Sequence, residues 1–257
     1  MTIYQEFFTD LWSGLHGRAV IATMNTRNDP TIQRFFAWPE QAEDLYEYVG
    51  EHATEDVYYS PTLYKANRAK KSVAKASHVV HADDDGFLAS GGQYRVPPTH
   101  LVHTSEGHAH VYWIIADTED VSLIEPLSHA VSNAHSKAEG TDDGWALNKL
   151  LRVPGTYNTQ YANPTSKKYR EDGEVFEVSL ESSGKAYTLA EFSEAYPPAT
   201  TASAGVVRDM GTLPTLSEAL KSLPYSPKLE ELLDPVYVRR HVDRSDALFL
   251  LENELCP

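Results

Sequence analysis

The stretch Val79-Val80-His81-Ala82-Asp83-Asp84-Asp85-Gly86 decides how this chain is read. A short apolar run, Val79 to Ala82, climbs directly into three carboxylates and a glycine. Side chains alternate faces along an extended strand, so Asp83 and Asp85 point one way and Asp84 the other. Two carboxylates on one face at the end of a buried strand are costly to assemble unless a hard cation such as Mg²⁺ or Mn²⁺ neutralises them. An acidic turn is the competing reading, because Asp-Asp-Gly is also good turn chemistry.

Upstream of this stretch, residues 1–17 carry Phe7, Phe8, Leu11, Trp12 and Leu15 on a helical period. Arg18–Met24 and Ile32–Trp38 read as strands around the turn-prone Asn28-Asp29-Pro30. Pro39 is expected to open a helix through about Ala53, and Asp56–Tyr59 is a further short strand. Downstream, His100–Thr104 and Ala109–Ile115 flank the turn Ser105-Glu106-Gly107, and a helix is expected from Ser122 to about Lys137. Residues 140–162 hold an acidic loop, a short apolar run and the turn Pro154-Gly155-Thr156. Val175–Leu180 reads as a strand and Leu189–Tyr196 as a helix. Alternating strands and helices make the main domain, residues 1–196, α+β or α/β. Residues 197–213 turn to Pro, Ala, Thr, Ser and Gly, the composition of a linker, and 214–257 read as a small helical subdomain. Its last helix ends abruptly at Cys256-Pro257, so the chain reads as an N-terminal piece of a longer protein.

At 257 residues and 41% hydrophobic composition, the chain can bury one large domain with an appendage. A lone cysteine excludes a disulfide framework, and no apolar run approaches the roughly 18 to 20 residues of a membrane span. With no signal-peptide pattern at the N-terminus, the expected location is cytoplasmic. A net charge of −15 argues against indiscriminate coating of nucleic acid. Positive charge is nonetheless gathered locally, in Lys65, Arg68, Lys70, Lys71 and Lys75, and more loosely in Lys149, Arg152, Lys167, Lys168 and Arg170. Each cluster reads either as a phosphate-binding channel or as a solvated face.

Two further constellations carry chemistry. In Thr104-Ser105-Glu106-Gly107-His108-Ala109-His110-Val111-Tyr112-Trp113, a turn leads into a strand with His110 and Tyr112 on one face. A histidine so placed can donate to phosphate or ligate a metal. In Leu150-Leu151-Arg152-Val153-Pro154-Gly155-Thr156-Tyr157-Asn158, an arginine stands at the end of an apolar run beside a tight turn, a setting suited to oxyanion recognition.

Taken together in this order, the three constellations resemble the primase-polymerases of the archaeo-eukaryotic primase superfamily found in phages and mobile replicons. That family's Asp-x-Asp strand end corresponds to Asp83-Asp84-Asp85, and its Ser-containing turn leading to a histidine corresponds to Ser105 and His110. Its Arg-x-Pro-Gly-Thr-x-Asn signature corresponds to Arg152 through Asn158, and the basic stretch Arg68 to Lys71 is also similar. The resemblance spans roughly residues 40–165. It implies an RRM-like mixed β-sheet catalytic domain followed by the helical subdomain. The implied activity is that of a DNA primase and DNA polymerase, transferring NTP or dNTP onto a primer or initiating nucleotide on single-stranded DNA. Asp83 and Asp85 would hold two Mg²⁺ or Mn²⁺ ions. Ser105, His110, Arg152, Lys70 and Lys71 would bind the nucleotide, and Arg68, Lys75, Asn158, Arg239 and Arg240 the template. A helicase, as a fused domain or a separate replication protein, would be the partner.

The sequence departs from the family at two places. A third catalytic carboxylate is expected shortly before the signature arginine, in a context like Gly-Trp-Asp, yet this chain reads Gly144-Trp145-Ala146. Either Asp142 or Asp143 substitutes for it, or the chain is an inactivated variant; the fit of the flanking residues favours an introduced alanine. Gln160 stands where relatives often carry a lysine. Two other readings compete. His108-Ala109-His110 matches the His-hydrophobic-His pattern of nicking endonucleases, which would use both histidines as ligands and Tyr157 or Tyr161 as nucleophile. A non-catalytic nucleic-acid-binding module would keep the fold without the third acid.

Overall fold

Thr2 and Gln5 start the chain with a reciprocal cap. The Thr2 hydroxyl accepts the Gln5 amide, and the Gln5 side chain accepts the Thr2 amide. The helix they open, α1 (Ile3–Leu11), buries Phe7, Phe8 and Leu11 on the face that the sequence period implies. The computed structural model describes residues 1–24, 32–135, 144–164, 166 and 168–198. After α1 come β1 (Gly17–Met24), β2 (Ile32–Trp38), α2 (Ala42–Glu51), β3 (Asp56–Tyr59), β4 (Leu63–Tyr64), β5 (Ala74–Ala76) and β6 (Val79–Asp84). They are followed by β7 (His100–Ser105), β8 (His108–Ile115), α3 (Val121–His135), β9 (Leu151–Arg152) and β10 (Tyr157–Asn158). The last are β11 (Phe176–Glu177), β12 (Ser179–Ser182), β13 (Ala186–Tyr187) and α4 (Leu189–Ala195).

The strands form two sheets. The first is organised on β1, which pairs with β2 along one edge and with β3 and β4 along the other; β3 in turn carries β9 and β10. The second is organised on β8, with β6 antiparallel on one side and β7 on the other, β7 then pairing with β12. Most pairs are antiparallel, but β10 joins β3 and β13 joins β8 in parallel, so the expected mixed α+β class holds.

Period-two alternation in β6 and β8 sets up three layers. Val79 and Tyr112 face the first sheet and α1, packing with Phe7, Phe8, Tyr59 and Leu151. Val80, Ala82, Val111 and Trp113 face the other way, onto Ile124, Leu127 and Val131 of α3 and Phe192 of α4. The second sheet is thus buried on both faces, which explains the nearly continuous apolar run of Val111–Ile115. The first core is strongly aromatic: Trp12 stacks on Phe8 at 4.8 Å, and its indole N–H reaches the Pro61 carbonyl at 3.1 Å. Each such side chain contributes about 1.5–3 kcal/mol through burial.

One helix starts later than the sequence implies. Gln41 donates its amide to the Ala37 carbonyl and takes the Ala37 amide on its side chain, closing a turn over 37–41. Helix α2 therefore begins at Ala42 and not at Pro39. The compact unit Met1–Ala202 contains every described residue. The Asn28-Asp29-Pro30 turn, Asp142, Asp143, Lys167, most of the expected linker and the 214–257 helices, with Arg239 and Arg240, lie outside the described residues. Among those described, no helix is long and apolar enough to cross a membrane.

Candidate active site

The alternation expected at the end of β6 is present. Asp84 is 2% exposed and turned inward, where it accepts the Gly86 amide at 3.1 Å, the Leu88 amide at 3.3 Å and the Tyr94 hydroxyl at 2.7 Å. These bonds fix the loop that leaves the strand. Asp83 and Asp85 point to the opposite side and line a cavity of about 230 Å³. The central aspartate is therefore the scaffold of the other two.

Beside them, β7 and β8 are joined by a tight turn whose Gly107 has φ +74°, a conformation that side chains resist. The pairing sets His110 opposite Asp83 and puts Ser105 and His108 on the cavity wall. His108 Nδ1 lies 3.1 Å from Asp85 Oδ1. His110 is buried, and its pKa falls to about 3, first through desolvation and then through the charges of Arg152 and Lys149. The Arg152 amide donates to His110 Nδ1 at 3.3 Å. That bond engages the Nδ1 lone pair, so the neutral ring carries its proton on Nε2, 3.7 Å from Asp83 Oδ1. His110 thus presents an N–H donor to the carboxylate side of the cavity.

The third wall comes from β3, β9 and β10. Asp56, which opens β3, accepts Arg152 Nη1 at 2.6 Å, and also the Thr159 amide at 3.1 Å and the Thr159 hydroxyl at 2.7 Å. Arg152 Nη2 reaches the Tyr58 hydroxyl at 2.9 Å, which also accepts Gln160 Nε2 at 2.7 Å. Burial raises the Tyr58 pKa, and the Arg152 charge partly offsets this. The Arg152 side chain lines the cavity but is only 5% exposed, and Asp56 matches its charge. Asn158, expected as a template contact, is buried and braces β10 to β7: its amide donates to the Thr104 carbonyl at 2.7 Å. Its short polar side chain finds a backbone partner before it finds solvent.

The segment expected to hold the third acid covers the base of Asp83. A Cβ built on Gly144 would stand 2.6 Å from the Asp83 Cβ, closer than such atoms approach. Ala146 follows in a half-buried turn and is not on the cavity wall; Lys149, whose amide donates to the Ala146 carbonyl at 2.9 Å, is. Lys149 Nζ lies 3.6 Å from Asp83 Oδ2. The turn is held from outside by Glu125 of α3, which accepts the Leu147 amide at 3.2 Å and pairs with Lys71 at 2.7 Å, while Lys71 lies over the Trp145 ring at 4.7 Å.

The fold therefore gathers Asp83, Asp85, Ser105, His110, Arg152 and Asn158 around one cavity. It does not bring Lys70, Lys71, Arg68 or Lys75 there. All four are exposed on the segment preceding β5 or within it, and Lys71 is engaged with Glu125. Sequence reasoning missed Tyr58, Thr104 and the positioning role of Asp56. It noted Lys149 only as part of a diffuse basic set. An aspartate opening the otherwise apolar strand DVYY was the available signal for Asp56.

Among the described residues, no group of three or more His, Cys, Asp or Glu is arranged to hold a metal ion. Asp83 and Asp85 alone supply two carboxylates. Mg²⁺ is commonly held by one or two carboxylates together with substrate phosphates, so this donor set fits an ion that arrives with a nucleotide. It does not form an all-protein cage.

Fold and cavity together define a two-sheet α+β domain with a cleft of carboxylates, a neutral imidazole and cations. The chain is similar in structure to the AEP domain of the cyanophage S-2L primase-polymerase, at 12% identity and TM-score 0.49, covering 76% of this chain and 97% of that one. It is also similar to primase RepB′ (17% identity, TM-score 0.47, 98% and 80% covered) and to the RepB′ catalytic domain in complex with initiator DNA (16%, 0.44, 74% and 92%). No family model and no curated protein matches the chain.

Proposed function

We propose that this chain is a nucleotidyltransferase of the primase-polymerase kind, adding NTP or dNTP to a primer or initiating nucleotide on a single-stranded DNA template. The observation that carries the reading is the convergence of three distant segments. Asp83 and Asp85, Ser105 and His110, and Lys149 and Arg152 meet at one cavity of about 230 Å³. An adjoining cavity of about 340 Å³ shares Ser105, His108 and Tyr161 with it and offers room for a second nucleotide.

Within this reading, Asp83 and Asp85 hold Mg²⁺ or Mn²⁺, which when bound supplies charge neutralisation for the triphosphate and activation of the attacking 3′-hydroxyl. His110, neutral with its proton on Nε2, donates to a phosphate oxygen without charge. Ser105 adds a second donor, and Lys149 and Lys168 add positive charge along the phosphate path. Arg152, bound to Asp56, holds Tyr58 and His110 in place. Exposed Arg68 and Lys75 remain available to template phosphates outside the cavity. A replicative helicase is the companion the sequence resemblance implies.

The nicking alternative needs both His108 and His110 as metal ligands, but the Arg152 amide engages His110 Nδ1 and leaves the proton on Nε2. The binding-module alternative rests on Ala146. Labelled dNTP and NTP incorporation on single-stranded DNA separates the three, comparing this chain with Ala146→Asp and Asp83→Ala in Mg²⁺ or Mn²⁺. Ala146→Asp is expected to incorporate more than the parent, and Asp83→Ala none. No product from any of them overturns the transferase in favour of the binding module, and a covalent protein–DNA adduct overturns it in favour of the nickase.

A further inference from the structure

The cations of the cavity are not equivalent. Arg152 is bonded to Asp56, which matches its charge, and Lys168 is exposed at the rim. Lys149 stands inside the wall, its side chain 21% exposed and its Nζ 3.6 Å from Asp83 Oδ2. That oxygen belongs to a carboxylate which the proposed function assigns to a divalent cation. An ammonium and a divalent ion cannot share it closely, because two positive charges a few ångströms apart repel strongly in a partly buried site.

We propose that Lys149 is a charge-exchange residue. It neutralises Asp83 while no divalent cation is bound, and it passes its ammonium to the triphosphate when cation and nucleotide enter together. The inference rests on the assignment of Asp83 and Asp85 as cation ligands. The chain is built for such a move. The Lys149 backbone is anchored by the hydrogen bond that its N–H donates to the Ala146 carbonyl, and its four-carbon stem can swing while that anchor stays fixed. The exchange gives the partly buried Asp83 carboxylate a cationic partner in the empty and in the loaded cavity alike. It also favours an ion delivered with phosphate, since the phosphate offers the displaced ammonium a partner of opposite charge.

The test reads binding. Mn²⁺ affinity is measured by electron paramagnetic resonance, and affinity for α,β-methylene dATP in the presence of Mn²⁺ by calorimetry. The proteins are the parent, Lys149→Met, Lys149→Arg and Asp83→Asn, each checked for folding by circular dichroism. Lys149→Met is expected to bind Mn²⁺ alone roughly tenfold more tightly and the analogue roughly tenfold more weakly, the scale of one lost charge contact. Lys149→Arg is expected to stay near the parent in both. If Lys149→Met leaves Mn²⁺ affinity unchanged while Asp83→Asn abolishes it, the exchange is overturned and the cation site stands. If Lys149→Met gains Mn²⁺ affinity without losing the analogue, the transfer to phosphate is overturned. If Asp83→Asn binds Mn²⁺ as the parent does, the cation site itself falls, and the exchange with it.

Discussion

Gly144 has no side chain because Asp83 occupies the space one would need: a Cβ there would approach the Asp83 Cβ to 2.6 Å. Gly144→Ala must therefore push the aspartate or its own turn aside, at about 1–3 kcal/mol, the usual cost of overpacking. The expected outcome is a folded protein with a lower melting temperature and a weakened affinity for Mn²⁺; a variant that binds Mn²⁺ like the parent would show that the turn does not position the carboxylate. This contact could not be read from the sequence, because a glycine before Trp145 is indistinguishable from one in any turn. The facing of the three aspartates in Val79–Gly86 could be read, since alternation alone separates Asp83 and Asp85 from Asp84. Alternation did not reveal that Asp84 would be among the most heavily bonded side chains of the region, accepting two amides and the Tyr94 hydroxyl. Those partners depend on how the 86–94 loop folds back.

At the scale of elements, the short strands β3, β9 and β10 are held together by side chains more than by length. Strands β9 and β10 have two residues each. What fixes them is Asp56, which takes bonds from Arg152 and Thr159, and Arg152, whose guanidinium also packs 4.7 Å over the Tyr58 ring. Both charges of the pair are about 5% exposed. Removing one member leaves the other buried and unpaired, so Asp56→Ala is expected to cost about 3–5 kcal/mol in urea unfolding. Arg152→Met made on top of it is expected to recover part of that loss; a second loss of equal size would mean the two residues act independently. The arginine was visible in the sequence as part of the Arg-x-Pro-Gly-Thr run. Its partner lies 96 positions away in the chain, a separation across which no local pattern carries information. For the same reason its setting could not be foreseen: a guanidinium beside a turn gives no sign of the buried aspartate that lies against it.

At the scale of the whole molecule, the layered core leaves several histidines neutral. Burial lowers the pKa values of His78, His81, His100, His110 and His135, that of His81 to about 4. An unfolded chain binds protons at these groups near pH 6.5, the folded one only at lower pH. Between those limits the unfolded state takes up more protons, so stability is complete above about pH 6.5 and declines as pH falls toward 4. Each fully buried histidine contributes up to about 1.4 kcal/mol per pH unit within the window. The urea midpoint, measured in enough salt to screen the net charge of −15, is expected to fall between pH 7 and pH 5, and to fall less steeply in His81→Phe. A flat or rising midpoint would mean that these rings find proton-accepting partners when charged. The mixture of helices and strands and the order of most elements were legible from periodicity, as in β1, β2 and α1; the choice of α+β over α/β came from the family resemblance. The division of the strands between two sheets was not, since the apolar run of β8 reads the same whether one face or both are covered.

The central assignment is that Asp83 and Asp85 bind the cation that accompanies a nucleotide. Anomalous scattering from crystals soaked with Mn²⁺ and α,β-methylene dATP tests it most directly. The expected map has Mn²⁺ coordinated by Asp83 and Asp85, with the triphosphate running toward His110 and Lys149. Mn²⁺ held instead by the His108 and His110 rings, with both aspartates uncoordinated, would contradict it.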